Sequence, residues 1–334
     1  MAGGQERALR RRIKTVQATR KITKAMELIA ASQITRSQTR LVANRGYRDG
    51  MRRIVVEAAQ ADATAARHLL GVPERVESAL VLVVAGDRGL SGAYNASVLR
   101  TGEHLVARLR AQGTVPRLVV VGKKAAPFYR FRGLAVEQSF AGFADRPTFA
   151  DARQVAAYVA APFVDHQVQQ VLIVSTRFHS AGSQSVETDQ LLPLVVDAAA
   201  APSAPTGLRG YTEFEPDPER LLADLTPRAL ESEIFRALLE GAASFHTSQQ
   251  RAMAAATDNA DDLGHHGDHG ALELDVHLDG VVDLGQGVRG ELDVHDRAGD
   301  RDDASGLQRG LLGGDGHSCL TFPCGAPQRR RRFP

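Results

Sequence analysis

The sequence predicts an α/β fold in which a parallel-rich body is carried between two long helices. Three observations predict it. No proline occurs between Met1 and Pro73 and no glycine between Gly4 and Gly46, over a stretch rich in Ala, Arg, Gln and Leu, all good helix formers. Between about 76 and 197, runs of Leu and Val alternate with helical sequence, the pattern of strands joined by crossover helices. After Pro227, Phe235, Leu238, Ala242, Phe245, Gln249, Ala252, Ala256, Asn259 and Leu263 recur in steps of three and four, a heptad seam with small residues that let a neighbouring helix come close.

The first helix is expected from about Glu6 to about Arg67, roughly 90 Å at 1.5 Å per residue. No compact domain buries that length, so it needs a second long helix or a partner around it. Leu9, Ile13 and Val16 share one side, while Ile22, Met26 and Ile29 share another, roughly 140° around at 100° per residue. Different neighbours along the length are expected, rather than a strict heptad. Residues 1–53 carry fourteen Lys and Arg against Glu6, Glu27 and Asp49, a net of +11 hidden within the chain total of +2. A shaft so charged seeks acidic partners.

The break at Gly71–Ser78 is followed by expected strands at Ala79–Asp87, Pro116–Ala125, Val168–Phe178 and within Ser185–Val196. Their continuous apolar runs suit strands covered on both faces. Helical sequence fills Ala93–Ala111 and Thr148–His166, with a helix end at Phe128–Gly133. Ala198–Gly207 has linker composition. The expected division is a first shaft helix at 1–70, an α/β domain at 71–197, a linker at 198–226, a second shaft helix at 227–263 and a separate tail at 264–334.

Composition narrows the function. The only cysteines, Cys319 and Cys324, lie at the far end, so no disulfide or metal framework organises the rest. No run of 18 apolar residues occurs, and the basic start is not followed by an apolar core, so a soluble or peripheral chain is expected. Five Lys beside thirty-six Arg point to a GC-rich genome.

Gly86–Gly92 reads GDRGLSG between a strand and a helix, where phosphates often bind. It lacks the Gly-Lys-Ser/Thr end of a phosphate loop, and its glycine spacing is not the dinucleotide fingerprint. A tight turn touching a partner is the preferred reading, with a nucleotide-binding α/β protein bearing helical arms as the alternative. His265–His269 has short His and Asp spacing that zinc could use, but lies among glycines and reads as accidental. His179 and His246 stand alone, and no Ser-His-Asp or Cys-His set is recognisable. No cofactor is expected. The basic arm has a second alternative reading in nucleic-acid binding, but it lacks interleaved aromatics and any helix-turn-helix pattern.

KITKAM (Lys21–Met26) with the following AAS, VVAGDRGLSGAYN (Val83–Asn95), YTEFEPDPERLL (Tyr211–Leu222) and Leu230–Leu263 occur in that order. Together they resemble the gamma subunit of F-type ATP synthases across about Met1 to Leu263. The resemblance implies a non-catalytic rotor shaft whose helices pair as an antiparallel coiled coil. It implies alpha and beta subunits as a surrounding hexamer, and epsilon and a ring of c subunits below, at the cytoplasmic face of a bacterial membrane. Membrane contact would come only through the complex. It makes Arg10, Lys14, Arg20, Lys21 and Lys24 the charges facing acidic beta loops, and Ile22, Met26 and Ile29 the apolar contact patch. Asp87, Arg88 and Gly89 would touch beta subunits from the turn. Ser91 stands where that family usually has a small residue or Cys, and the spacing from Gly92 to Asn95 also departs.

From Gly264 the composition changes abruptly. Fourteen of the 31 Gly and six of the 11 His fall in the last 71 residues, which end in RRRRFP. The resemblance implies two dozen further helical residues with an ITQEI-like end, and these are missing. Out-of-frame translation of a GC-rich gene is the preferred reading. The rival is an appended β segment, since Leu272, Leu274, Val276 and Leu278 alternate and Glu-Leu-Asp-Val-His recurs at 273–277 and 291–295.

Overall fold

A computed structural model describes residues 2–61, 75–194, 215 and 217–268, with side chains described from Arg7 onward except Leu9, Pro218 and 264–268. The expected end of the first helix near Arg67, the linker at 198–207 and the tail beyond Asp268 lie outside the described residues.

Ten elements follow one another: α1 Ala2–Ala61, β1 Ser78–Val84, α2 Tyr94–Ala111, β2 Val115–Val121, α3 Ala125–Phe131, β3 Gln138–Phe140, α4 Phe149–Val164, β4 Gln170–Phe178, β5 Gln184–Leu192 and α5 Pro218–Asp268. The sheet runs β3-β2-β1-β4-β5, parallel throughout except for β5, which pairs antiparallel with β4. β3, only three residues long and half exposed, was not visible as an apolar run.

The central strands are apolar on both faces because both faces are covered. Leu80, Leu82 and Val84 of β1 share a core with Ala152, Val155 and Val159 of α4 and Leu230, Ile234, Ala237 and Leu238 of α5. The intervening Ala79, Val81 and Val83 point the other way, into a core with Val98, Leu105 and Val106 of α2 and Tyr129 of α3. This period-two division makes three layers of helix, sheet and helix. α4 begins on a capping box, in which the Thr148 hydroxyl accepts from Asp151 N–H and the Asp151 carboxylate accepts from Thr148 N–H. Where β2 crosses to α3, Gly122 has φ +99°, and a Cβ there would lie 2.3 Å from Ala85 O. No other residue fits that crossing.

α1 and α5 pair antiparallel. Thr23 shares a 2.8 Å hydroxyl contact with Thr257, and Arg20 pairs with Asp261. At the opposite end Met51, Val55 and Ala58 pack with Leu222 and Ala229. α5 starts at Pro218, nine residues before the expected start, so 218–226 of the expected linker is helical. Asp217 caps it, accepting from Arg220 N–H at 3.0 Å. Pro227 gives Ala223 no hydrogen bond, but both residues are exposed, so that carbonyl faces solvent rather than the core. The helix also runs past Leu263 to Asp268.

Both seams differ from expectation. On α1 the residues turned inward are Thr19, Thr23, Met26, Ala30, Gln33, Ser37, Leu41, Asn44, Arg48, Met51, Val55 and Ala58, spaced by threes and fours. The steps follow a heptad except for two consecutive fours at Gln33, Ser37 and Leu41, so no strict heptad runs the whole length, and the row was hidden from a search for apolar residues because its upper half is Thr, Ala, Gln and Ser. On α5 the expected seam mixes two rows. Phe235 and Leu238 pack into the body, and Phe245 lies against Tyr94. Above the body the buried row is Met253, Thr257 and Ala260, one residue later than expected, while Asn259 and Leu263 are exposed.

Candidate partner-contact surfaces

The first surface is the outer stem. Arg251 donates to Ala181 O, so the body reaches that far along α5; with Thr23 opposite Thr257, α1 from about Ile29 back to its start lies beyond the body. On it Ile22, Leu28 and Ile29 are 60–61% exposed, although large apolar side chains usually turn inward. Met26 is half-buried toward the seam, and the exposed apolar side chains on this face are Ile22, Leu28 and Ile29. Among the expected charges, Arg10, Lys14 and Lys21 are exposed. Arg20 is tied across the stem to Asp261, and Lys24 donates to Glu27 one turn on, at 3.1 Å.

The second surface is the turn after β1. Asp87 does not point outward. Its carboxylate accepts from the backbone N–H groups of Lys123, Gly142 and Ala144 at 2.9–3.0 Å. These amides belong to the loops after β2 and β3, so the carboxylate ties the turn to its two neighbours. Asn95 braces the turn from α2, accepting from Gly86 N–H at 2.8 Å and donating to Arg88 O at 2.9 Å. Arg88 reaches Asp145 at 2.5 Å. Gly89 meets only Lys124, with a Cβ placed 3.7 Å from Lys124 Cε. Leu90 at the tip is 64% exposed and adopts φ 60°, a left-handed backbone uncommon for a branched residue.

α5 locks this corner from behind. A Cβ on Gly86 would stand 3.0 Å from the Phe245 ring, which meets Tyr94 edge-on at 5.6 Å. His246, also buried, hydrogen-bonds Asp145 O through Nε2 at 3.1 Å, and its Nδ1 has no protein partner. Burial pushes the His246 imidazole below its ordinary pKa, against the opposing pull of Asp145. Asn95 and Asp145 carry this geometry without having been proposed as site residues from sequence, and His246, read there as a lone histidine, joins them from the buried side of α5. Only the place of Asn95 at a helix start hinted at a role. Among the described residues no cluster could hold a metal ion, and His265–His269 lies outside the described side chains.

A stem of two antiparallel helices with an α/β body strung between them is the build of a rotor-shaft protein. The ATP synthase family profile matches residues 5–266. The ATP synthase gamma chain of Parafrankia sp. is 44% identical over 266 residues, covering 78% of this chain and 88% of its own. That of Kineococcus radiotolerans is also 44% identical, over 78% of this chain and 87% of its own. A central stalk and c-ring structure of the Tetrahymena thermophila mitochondrial ATP synthase shares the fold, with TM-score 0.52 and 22% identity over 70% of this chain and 99% of its own. The chain therefore belongs to the ATP synthase gamma chain family, a non-catalytic subunit and the rotor of the enzyme's central stalk. No helix among the described residues is long and apolar enough to cross a membrane.

Proposed function

We propose that the outer stem turns inside a hexamer of alpha and beta subunits, while the body rests on epsilon and a c-subunit ring at the cytoplasmic face of a bacterial membrane. The observation that carries this reading is the exposed face of α1, where Ile22, Leu28 and Ile29 stand beside Lys14 and Lys21 on a stem that the body does not cover. A shaft whose faces differ in charge and shape presses differently on three chemically identical beta sites. Turning then carries each site through every state. Arg88 and Leu90 supply a second contact, held at a set height by Asp87 and Asn95.

Reversing Arg20, Lys21 and Lys24 to Glu tests this. Proton-driven ATP synthesis is expected to fall in the assembled complex, while the isolated chain keeps its fold because exposed charges contribute little, about 0–1 kcal/mol each. Normal coupling in the triple variant would overturn the assignment of these charges to acidic beta loops. The family match ends at residue 266, three residues past the composition break, which supports reading the tail from Gly264 as out of frame. Resequencing the locus at codon 264 decides it, and a restored frame should extend α5 with helical sequence.

A further inference from the structure

Between α5 and the β4–β5 edge of the sheet lies a closed ring of four charges. Arg236 donates to Glu240 at 3.0 Å and to Asp189 at 3.3 Å. Arg177 of β4 reaches the same Asp189 oxygen at 3.3 Å and the same Glu240 oxygen at 3.7 Å. Two residues of the shaft helix and two of the sheet thus alternate in sign around one ring. Glu233 accepts from Arg236 Nε at 2.7 Å, and Glu187 accepts at 2.9 Å from Arg177 Nε, the nitrogen that also faces Glu240. The Arg236 side chain is 6% exposed and that of Glu240 9%. Burial works against the Arg236 charge, yet Glu233, Glu240 and Asp189 hold its pKa above the ordinary arginine value.

Such a ring adds little to stability, because desolvating buried ions offsets most of their attraction. It adds geometry. Elsewhere α5 meets the sheet through Leu230, Ile234, Ala237 and Leu238, whose burial is non-directional. The guanidinium groups add hydrogen bonds of fixed direction.

We propose that the ring of Arg177, Asp189, Arg236 and Glu240 is the torsional clamp between shaft and body, fixing the angle at which twist passes from α5 to the sheet. The inference rests on the shaft reading for its purpose, but its geometry can be tested alone. In the full chain with Cys319→Ser and Cys324→Ser, spin labels at Arg130→Cys on the body and Asp258→Cys on the outer stem report the distribution of their separation. Both positions are exposed.

Replacing the central pair by apolar residues of similar volume, Arg236→Met with Glu240→Leu, is expected to leave the melting temperature near that of the parent and to broaden the distribution. Arg236→Lys keeps the charge and loses the fork, and should broaden it as well. If the apolar pair fails to fold, the lysine variant alone decides. An unchanged width in a folded variant overturns the clamp. In a reconstituted ATP synthase the same variants should lower proton-driven synthesis while ATP hydrolysis persists. A complex whose unmutated chain does not turn would instead overturn the shaft reading, and the clamp's purpose with it.

Discussion

The sheet and the outer stem are both long packed interfaces, built from opposite materials. In the sheet, Leu80, Val81, Leu82 and Val83 are wholly buried among other aliphatic side chains. In the outer stem, the buried positions are Thr23, Met253, Thr257 and Ala260, followed just below by Ala30 and Gln33. The body is held by burial of hydrocarbon, which has no preferred direction. The stem is held by close approach of small side chains and by hydrogen bonds such as Thr23 to Thr257, which do have one. A body that must stay whole and a shaft that must keep its faces aligned call for these different solutions.

The contrast can be broken by measurement. Phe245→Ala, at the point where stem and body meet, should show the largest effect, about 3–5 kcal/mol lost in denaturant unfolding, because a ring wedged against Gly86 and Tyr94 leaves a cavity. Thr257→Val should cost only about 1 kcal/mol, the net value of one hydrogen bond. The double change Thr23→Val with Thr257→Val should cost little more, since in either single variant the remaining hydroxyl still donates within its own helix, to Arg20 O or Met253 O. If Thr257→Val costs as much as Phe245→Ala, the seam is not the lightly held interface described here.

Acid should act on the junction. The His246 pKa is lowered in the folded chain, so the unfolded chain takes up the proton first as pH falls below about 6.5. Stability is therefore fully present above that value and declines as pH drops toward the lower folded pKa. His246→Gln should flatten the dependence of melting temperature on pH between about 5 and 7. The smallest effect is expected from Arg20→Ala. Arg20 and Asp261 are 52% and 37% exposed, and such pairs are worth about 0.2–1 kcal/mol. A loss well beyond that would make the stem's charges structural.

The same contrast explains what could be read beforehand. Strands β1, β2 and β4 were legible because Leu and Val runs announce burial, whereas the three residues of β3 carry no such run. The α1 seam was not legible, since Thr23, Gln33 and Ser37 look like surface residues until a second helix is beside them. The α5 row was misplaced by one residue because Phe235, Leu238 and Phe245 are the conspicuous side chains, and they serve the body. The contact turn was legible as a turn, and the outward patch as apolar residues at 22 and 29. Invisible were Asp145 and His246, whose partners lie 57 and 101 residues away, and the inward aim of Asp87.

The single reversed strand has a topological result. Because β5 runs back along β4, Leu192 comes to lie beside Val171, while Ser78 lies against Gln169 at the same edge. The chain thus enters and leaves the sheet through one narrow neck, as a purse is closed by its string. Another strand running with its neighbours would have put the exit on the far side and forced the second helix to start from there. With the neck closed, loops at the opposite end of the sheet can change in length without moving either point where the chain enters or leaves it, while α5 stays packed on the sheet face.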